Sequence, residues 1–307
     1  MARAFQRIGV VGAGAVGAYY GARMQRAGNR VAFLMRSDLE AVKDRGLRIR
    51  AVDGEFNLPE VDAYGSTEEM GPCDLVVIGI KATSNQSLVE LLPPLIRPET
   101  AFLTLQNGLG GDAFLAKHFG RDRILVGLCF VCLNRTAPGI IENYFSGSVT
   151  VGAFHRPVDD RVRAVAGLFE SAGVSVRMSD DMEAMRWRKL VWNIPFNGLA
   201  ITAGGVPTDQ ILDNPQLVCE VRALMREVAR ASAVFGHEIP ECFLEEQIEL
   251  TDPMGAYRPS SLIDFLAGRE VEVEAIWGEP LRRAEKAGIP MPNLRRLYED
   301  LLKCVKR

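Results

Sequence analysis

The chain has 307 residues, enough for about two domains with a core each, and its 48% apolar and 24% charged content excludes an extended disordered chain. With 36 basic against 39 acidic residues the net charge is −3, so neither nucleic acid nor an anionic membrane is an expected partner; any anionic ligand must be held by local basic groups. No apolar run reaches the roughly 20 residues of a membrane span. The opening residues pass within a few positions into a strand and a glycine loop, leaving no room for a secretory signal, so the cytoplasm is the expected compartment. Cys73, Cys129, Cys132, Cys219, Cys242 and Cys304 are scattered as reduced thiols would be, and the sequence leaves self-association into a homodimer open.

Through about residue 175 the strand-like runs IGVVG, RVAFLMR, CDLVVIGIK, TAFLTLQN, RILVGLCFV and SVTVGAF alternate with helix-like stretches, which predicts a parallel sheet wrapped by helices. VRMSDDMEAM, at residues 176–185, marks a change. Beyond it, LVCEVRALMREVARASAVFG and LRRLYEDLLKCVKR show helical periodicity with few β-rich runs, so the second half reads as all-helical. Two domains are expected, 1–178 and 179–307. No internal repeat supports a solenoid.

The first strand runs into Gly12-Ala13-Gly14-Ala15-Val16-Gly17 and then a helix, AYYGARMQRAG. In that strand–turn–helix setting GxGxxG is a dinucleotide-binding fingerprint. Gly12 permits the tight turn, Gly14 lets the backbone approach a pyrophosphate, and Gly17 allows close helix–strand packing. About twenty residues later, where an NAD enzyme carries an acid for the ribose 2′-hydroxyl, RVAFLMR ends in Arg36-Ser37. A cation there suits a 2′-phosphate, so NADPH is the expected cofactor. Lys81 and Gln106-Asn107-Gly108 end two more strand-like runs at the carboxyl edge where such sheets bind ligands. Lys81 reads as a contact for a phosphate or carboxylate, Asn107 as a ligand contact or part of an Asn-Gly turn.

Cys129-x-x-Cys132 lies inside a strand-like run, where residues three apart face opposite sides, so these are core cysteines. His118, His155 and His237 stand without a second ligand at metal spacing, and no metal is expected. KLVWNIPFNGLAIT, residues 189–202, is different. Lys189, Asn193 and Asn197 interrupt an apolar segment at intervals of four, which puts three polar groups on one helical face. Buried against an ordinary core they would cost several kcal/mol, so something polar is expected opposite them. Pro195 removes one helical N–H and predicts a kink before Asn197.

Jointly, the glycine loop, Lys81, the QNG turn and the lysine–asparagine helix resemble the ketopantoate reductases, or 2-dehydropantoate 2-reductases. The resemblance runs from the first strand to PNLRRLYEDLL. It implies an N-terminal Rossmann-type dinucleotide-binding domain, a C-terminal all-helical domain, and a substrate cleft between them. It also implies the activity, NADPH-dependent reduction of ketopantoate to (R)-pantoate on the route to pantothenate and coenzyme A. By the same resemblance Lys189 is the general acid, and Asn193 and Asn197 bind substrate. Ser260, in RPSSLIDFLAGR, meets the substrate carboxylate, and Glu272, in REVEVEAIWG, is the active-site glutamate beside the cofactor. Lys81 is the cleft lysine, and Asn107 contacts cofactor and substrate. An ammonium beside a ketone that is gaining hydride can stabilise the developing charge and donate the proton.

Several positions depart from the family pattern, among them GGVPTD, which lacks an asparagine that some relatives use for substrate. Pro195 falls between the two asparagines, Gly198 follows the second where proline is more usual, and Trp277 stands where asparagine is common. The indole motivates a rival reading, a reductase of the same family acting on another 2-keto acid. A further alternative is a non-catalytic NADPH-binding sensor, against which the preserved Lys189 and Glu272 count.

Overall fold

The computed structural model describes residues 5–306. Residues 1–4 and 307, included in the two expected domains, lie outside the described residues. The chain divides into two compact units. One comprises the residues up to Gln106 together with Gly111–Met182, and the other Asn107–Gly110 together with Glu183–Arg307. A four-residue excursion of the first half therefore belongs to the second unit.

The first unit is built on a ten-stranded sheet. Its strands are β1 (Ile8–Val11), β2 (Val31–Leu34), β3 (Leu47–Ala51), β4 (Gly54–Leu58), β5 (Asp62–Tyr64), β6 (Leu75–Ile78), β7 (Ala101–Thr104), β8 (Ile124–Ala137), β9 (Ile140–Ala153) and β10 (Val176–Met178). The spatial order is β4-β3-β9-β8-β7-β6-β1-β2-β5, with β10 beside β9. β1, β2, β6 and β7 are buried at every residue, as expected for parallel strands covered on both faces.

The expected parallel sheet is only part of what forms. β5, β2, β1, β6, β7 and β8 run parallel, but β8 and β9 pair antiparallel, and so do β3 and β4. The sheet is mixed. RILVGLCFV and SVTVGAF are separated by no helix; they are the outer parts of two 14-residue strands joined at Pro138-Gly139. Gly139 takes φ +75°, a left-handed value that glycine reaches without steric cost, so the turn closes there.

The second unit is helical. Its main helices are Met182–Thr202, Pro215–Val234, Glu241–Glu249, Ser260–Leu266, Glu279–Lys286 and Pro292–Val305, and it contains no strand among the described residues. Trp187, Trp277, Phe196 and Ile194 are fully buried in its core. Leu294, Leu297 and Leu301 repeat at three and four residues along Pro292–Val305 and bury one face of it. That helix is capped by Glu227, a side chain with no exposed surface. Its carboxylate accepts from Asn293 N at 2.9 Å, Asn293 Nδ2 at 2.6 Å and Leu294 N at 2.9 Å. No described helix is long and apolar enough to cross a membrane.

Candidate active site

In the first unit β1 pairs in parallel with both β2 and β6, so the loops after these three strands leave from one edge of the sheet. The chain order reverses at β1, and ligands of open α/β sheets bind at such a switch point. The glycine loop follows β1, Arg36 follows β2, and Lys81 follows β6.

The three glycines of the fingerprint have different reasons to be glycine. Gly12 has φ +93°, and a Cβ there would lie 2.3 Å from Ile80 Cγ2 and 2.4 Å from Ile80 N. At Gly17 a Cβ would lie 2.2 Å from the Gly12 carbonyl oxygen. Both are demanded by the fold. Gly14 has φ −75°, which any residue adopts, and a Cβ there would meet no protein atom within 4 Å. Nothing in the chain requires its bareness. It begins the helix Ala15–Arg26, whose first turn has no side-chain cap, and the flanking Ala13, Ala15 and Val16 are partly exposed. Backbone N–H groups at a helix start, bared by a glycine, are what a pyrophosphate needs. Arg36 is exposed and makes no ion pair among the described residues, so it fits a 2′-phosphate. The residues present fit NADPH.

Lys81 is partly exposed and leads into the short 3₁₀ turn Ala82–Ser87. Gln106, buried at the end of β7, fixes that neighbourhood: its Nε2 donates to Ile80 O at 3.1 Å and to Asn85 Oδ1 at 2.6 Å.

In the second unit the helix Met182–Thr202 runs unbroken through Pro195. Its first half grips the Asn107–Gly110 excursion. Lys189 Nζ donates to Asn107 Oδ1 at 2.8 Å, and Arg186, buried three residues earlier on the same face, donates from Nη1 to Gly108 O at 2.6 Å. Leu109 N donates to Ala275 O at 2.9 Å. Gly108 has φ +75°, and a Cβ there would lie 2.3 Å from that same carbonyl oxygen. Asn107 thus stands beside the Gly108 turn and also accepts from Lys189. Arg186 was not legible as a participant; its only signal is the i, i+3 spacing from Lys189.

Glu272 is partly buried just before a single π-helical turn, Glu274–Gly278, and Ala275, which holds Leu109, lies three residues on. Glu274, the first residue of that turn, is committed elsewhere. Its carboxylate accepts from Tyr298 Oη at 2.5 Å and Arg282 Nη1 at 2.6 Å. Burial pushes its acidity one way, but those two donors outweigh it and hold the carboxyl below the usual range.

The polar stripe sinks as it proceeds. Lys189 is partly exposed, Asn193 is 8% exposed and Asn197 is 2% exposed. Asn197 Oδ1 accepts from Ser261 N at 3.0 Å, at the start of Ser260–Leu266. Asn197 and Ser260 are thus brought to one place, with Ser260 itself exposed. No group of three or more His, Cys, Asp or Glu among the described residues could hold a metal ion.

The pattern of the family described as "Ketopantoate reductase PanE/ApbA" matches residues 8–156, and that of "Ketopantoate reductase PanE/ApbA C terminal" matches residues 181–303. The chain belongs to the ketopantoate reductase family. It is 38% identical to a 2-dehydropantoate 2-reductase of Nostoc sp. over 96% of this chain and 94% of that protein. The crystal structure of 2-dehydropantoate 2-reductase from Geobacter metallireducens GS-15 superposes with TM-score 0.95 at 41% identity, covering 97% of this chain and 99% of the other. The enzyme of that name from Methylococcus capsulatus gives TM-score 0.88 at 33% identity, covering 98% and 96%.

Two departures from the ketopantoate reductase pattern explain each other. Trp277 is fully buried, and its Nε1 donates to Ile194 O at 2.9 Å. A Cβ at Gly198 would lie 2.9 Å from that same indole nitrogen and 2.7 Å from Leu297 Cδ2. The small residue makes room for the large one. Trp277, the motive for the rival reading, is a core residue of the second unit with no exposed surface, so its indole lines no open pocket there.

Proposed function

We propose that this member of the ketopantoate reductase family reduces 2-dehydropantoate to (R)-pantoate with NADPH, in the biosynthesis of pantothenate and coenzyme A. The first unit carries the cofactor, through Gly12–Gly17, Arg36 and Lys81. The second presents Lys189, Asn107, Asn193, Asn197, Ser260 and Glu272 to the keto acid, with Asn107 and Glu272 also reaching the cofactor. The observation that carries this reading is the bond from Lys189 to Asn107, an ammonium aimed by a carboxamide 82 residues away in the chain. A surface lysine needs no such partner.

NADPH, when bound, supplies the hydride. The remaining work falls to side chains. Lys189 stabilises the negative charge that develops on the keto oxygen and donates the proton that quenches it. Asn107 and Arg186 keep that ammonium in register, the first by direct contact and the second by fixing the Gly108 carbonyl. Asn193 orients the polar groups of the substrate. Asn197 faces the substrate and, by accepting from Ser261 N, also seats the turn that offers the Ser260 hydroxyl to the carboxylate. Glu272 orders the lysine or receives substrate hydroxyls.

A panel of 2-keto acids followed by NADPH absorbance tests the proposal. 2-Dehydropantoate should give the highest kcat/KM. Another acid clearly surpassing it would replace the substrate while leaving the chemistry intact. Tight NADPH binding without turnover on any keto acid would replace the enzyme with a sensor.

A further inference from the structure

The loop after β2 contains an acid as well as a cation. Asp38 stands two residues beyond Arg36, in the region where NAD enzymes use a carboxylate to hold the ribose hydroxyls. A carboxylate near a 2′-phosphate is repulsive, because the phosphate carries about −1.5 to −2 charge at neutral pH. An NADPH site with this sequence must deal with Asp38.

The structure shows how. Asp38 occupies the N-cap position of the helix Leu39–Arg45, where aspartate ordinarily bonds the first N–H groups of its own helix, yet its side chain makes no such bond. It is turned towards the β8–β9 hairpin. Its Oδ1 accepts from Arg135 Nη1 at 2.5 Å and from Ser37 Oγ at 2.8 Å, and its Oδ2 accepts from Gly139 N at 3.1 Å. Arg135 Nη1 also donates to Ser37 Oγ at 3.0 Å. The Asp38 side chain is only 7% exposed, whereas Arg36 is exposed. One arginine is left for a ligand, and another is spent on the acid beside it.

We propose that Arg135 is a specificity-determining residue for the cofactor: by neutralising Asp38 and holding it against the hairpin turn, it lets the β2 loop accept a 2′-phosphate. Arg135 acts through Asp38 and Ser37 and is a positioning residue. The inference rests on the NADPH reading above. Without the Arg135 charge, Asp38 keeps its neutral partners but loses its counter-ion, and the loop opposes NADPH while tolerating NADH.

Dissociation constants for NADPH and NADH, measured by fluorescence titration without substrate, test this. The proteins are the unmodified chain, Arg135→Ala, Arg135→Gln and the double variant Arg135→Ala with Asp38→Asn. Loss of a charge-assisted contact should cut the NADPH over NADH preference about tenfold or more in Arg135→Ala. Removing the acid as well should restore most of it, which a merely structural role would not do. Arg135→Gln keeps N–H donors and drops the charge, so it reads the same effect if the alanine variant fails to fold. Both constants rising together, or an unchanged ratio, would overturn the proposal. A ratio unchanged by the variants in a protein that prefers NADPH sinks this inference alone. An unmodified protein with no preference sinks the NADPH reading with it.

Discussion

The two candidate regions, one in each unit, are made of different material. Around the glycine loop the chain offers backbone: a helix start, a bare Cα at Gly14, and two glycines locked by contacts of 2.2 to 2.4 Å that a side chain would create. Along Met182–Thr202 it offers side chains, two of which are themselves held, Lys189 on Asn107 and Asn197 on Ser261. A backbone site tolerates change in most side chains but almost none at its glycines. A side-chain site can lose one group and keep its shape. Substitutions should therefore fail in different ways in the two places.

The largest expected effect is at Lys189. Lys189→Ala should lower kcat by about 10²–10⁴-fold, since general-acid catalysis contributes that much, while leaving NADPH affinity nearly unchanged. Steady-state kinetics with fluorescence titration of the cofactor read the two separately. Near-normal kcat would move the proton donor elsewhere and reduce the stripe to architecture.

The glycine loop should show the opposite split. Gly17→Ala forces a methyl into the Gly12 carbonyl and should cost about 1–3 kcal/mol of stability by overpacking. Gly14→Ala meets nothing within 4 Å, so its unfolding free energy should stay within about 0.5 kcal/mol of the parent while NADPH binding weakens. Denaturant unfolding and cofactor titration on both variants check this. If Gly14→Ala binds NADPH as the parent does, the bare helix start is not where the phosphates lie.

Within the stripe a finer contrast is expected. Asn197→Ala leaves the buried Ser261 N–H without its acceptor, at about 1–3 kcal/mol, and should lower the melting temperature as well as raise KM. Asn193→Ala should act mainly through KM. Equal melting temperatures for the two would mean that Asn197 is not holding the Ser260 turn.

The smallest effect should come from Trp277→Phe. It deletes the bond to Ile194 O and should cost about 0.5–1.5 kcal/mol plus some packing, with the keto-acid profile unchanged. A changed profile would return the indole to the pocket.

How much of this could be read beforehand follows from how local each signal is. The fingerprint at 12–17 and the four-residue spacing of Lys189, Asn193 and Asn197 are contained in short windows, and periodicity alone gives their faces. Arg36, Lys81 and Asn107 are signalled by the ends of strand-like runs, and the family resemblance supplied Ser260 and Glu272. The β8–β9 hairpin is not legible although its Pro138-Gly139 turn stands in plain view, because the strand-like runs rich enough in apolar residues to be recognised before it all alternate with helix-like stretches. β3 and β4, which form a hairpin too, carry too many polar residues to stand out. Asp38 and Arg135 lie 97 residues apart, and no pattern along the chain joins a cap residue to the far end of a hairpin. Nor could Gly198 be paired with Trp277. Each looked like an isolated departure until packing showed one occupying the space the other leaves.

Glu227 has a consequence for how the molecule comes into being. Its carboxylate finds its donors 66 and 67 residues further along the chain. While the protein is being synthesised, the helix Pro215–Val234 emerges well before Asn293 and Leu294 exist, and an ionised carboxylate cannot be buried without partners except at a cost of several kcal/mol. Burial of the Glu227 face is therefore coupled to the docking of Asn293 and Leu294, so the start of the helix Pro292–Val305 and the buried face of Pro215–Val234 depend on one another although 66 residues of chain separate Glu227 from Asn293.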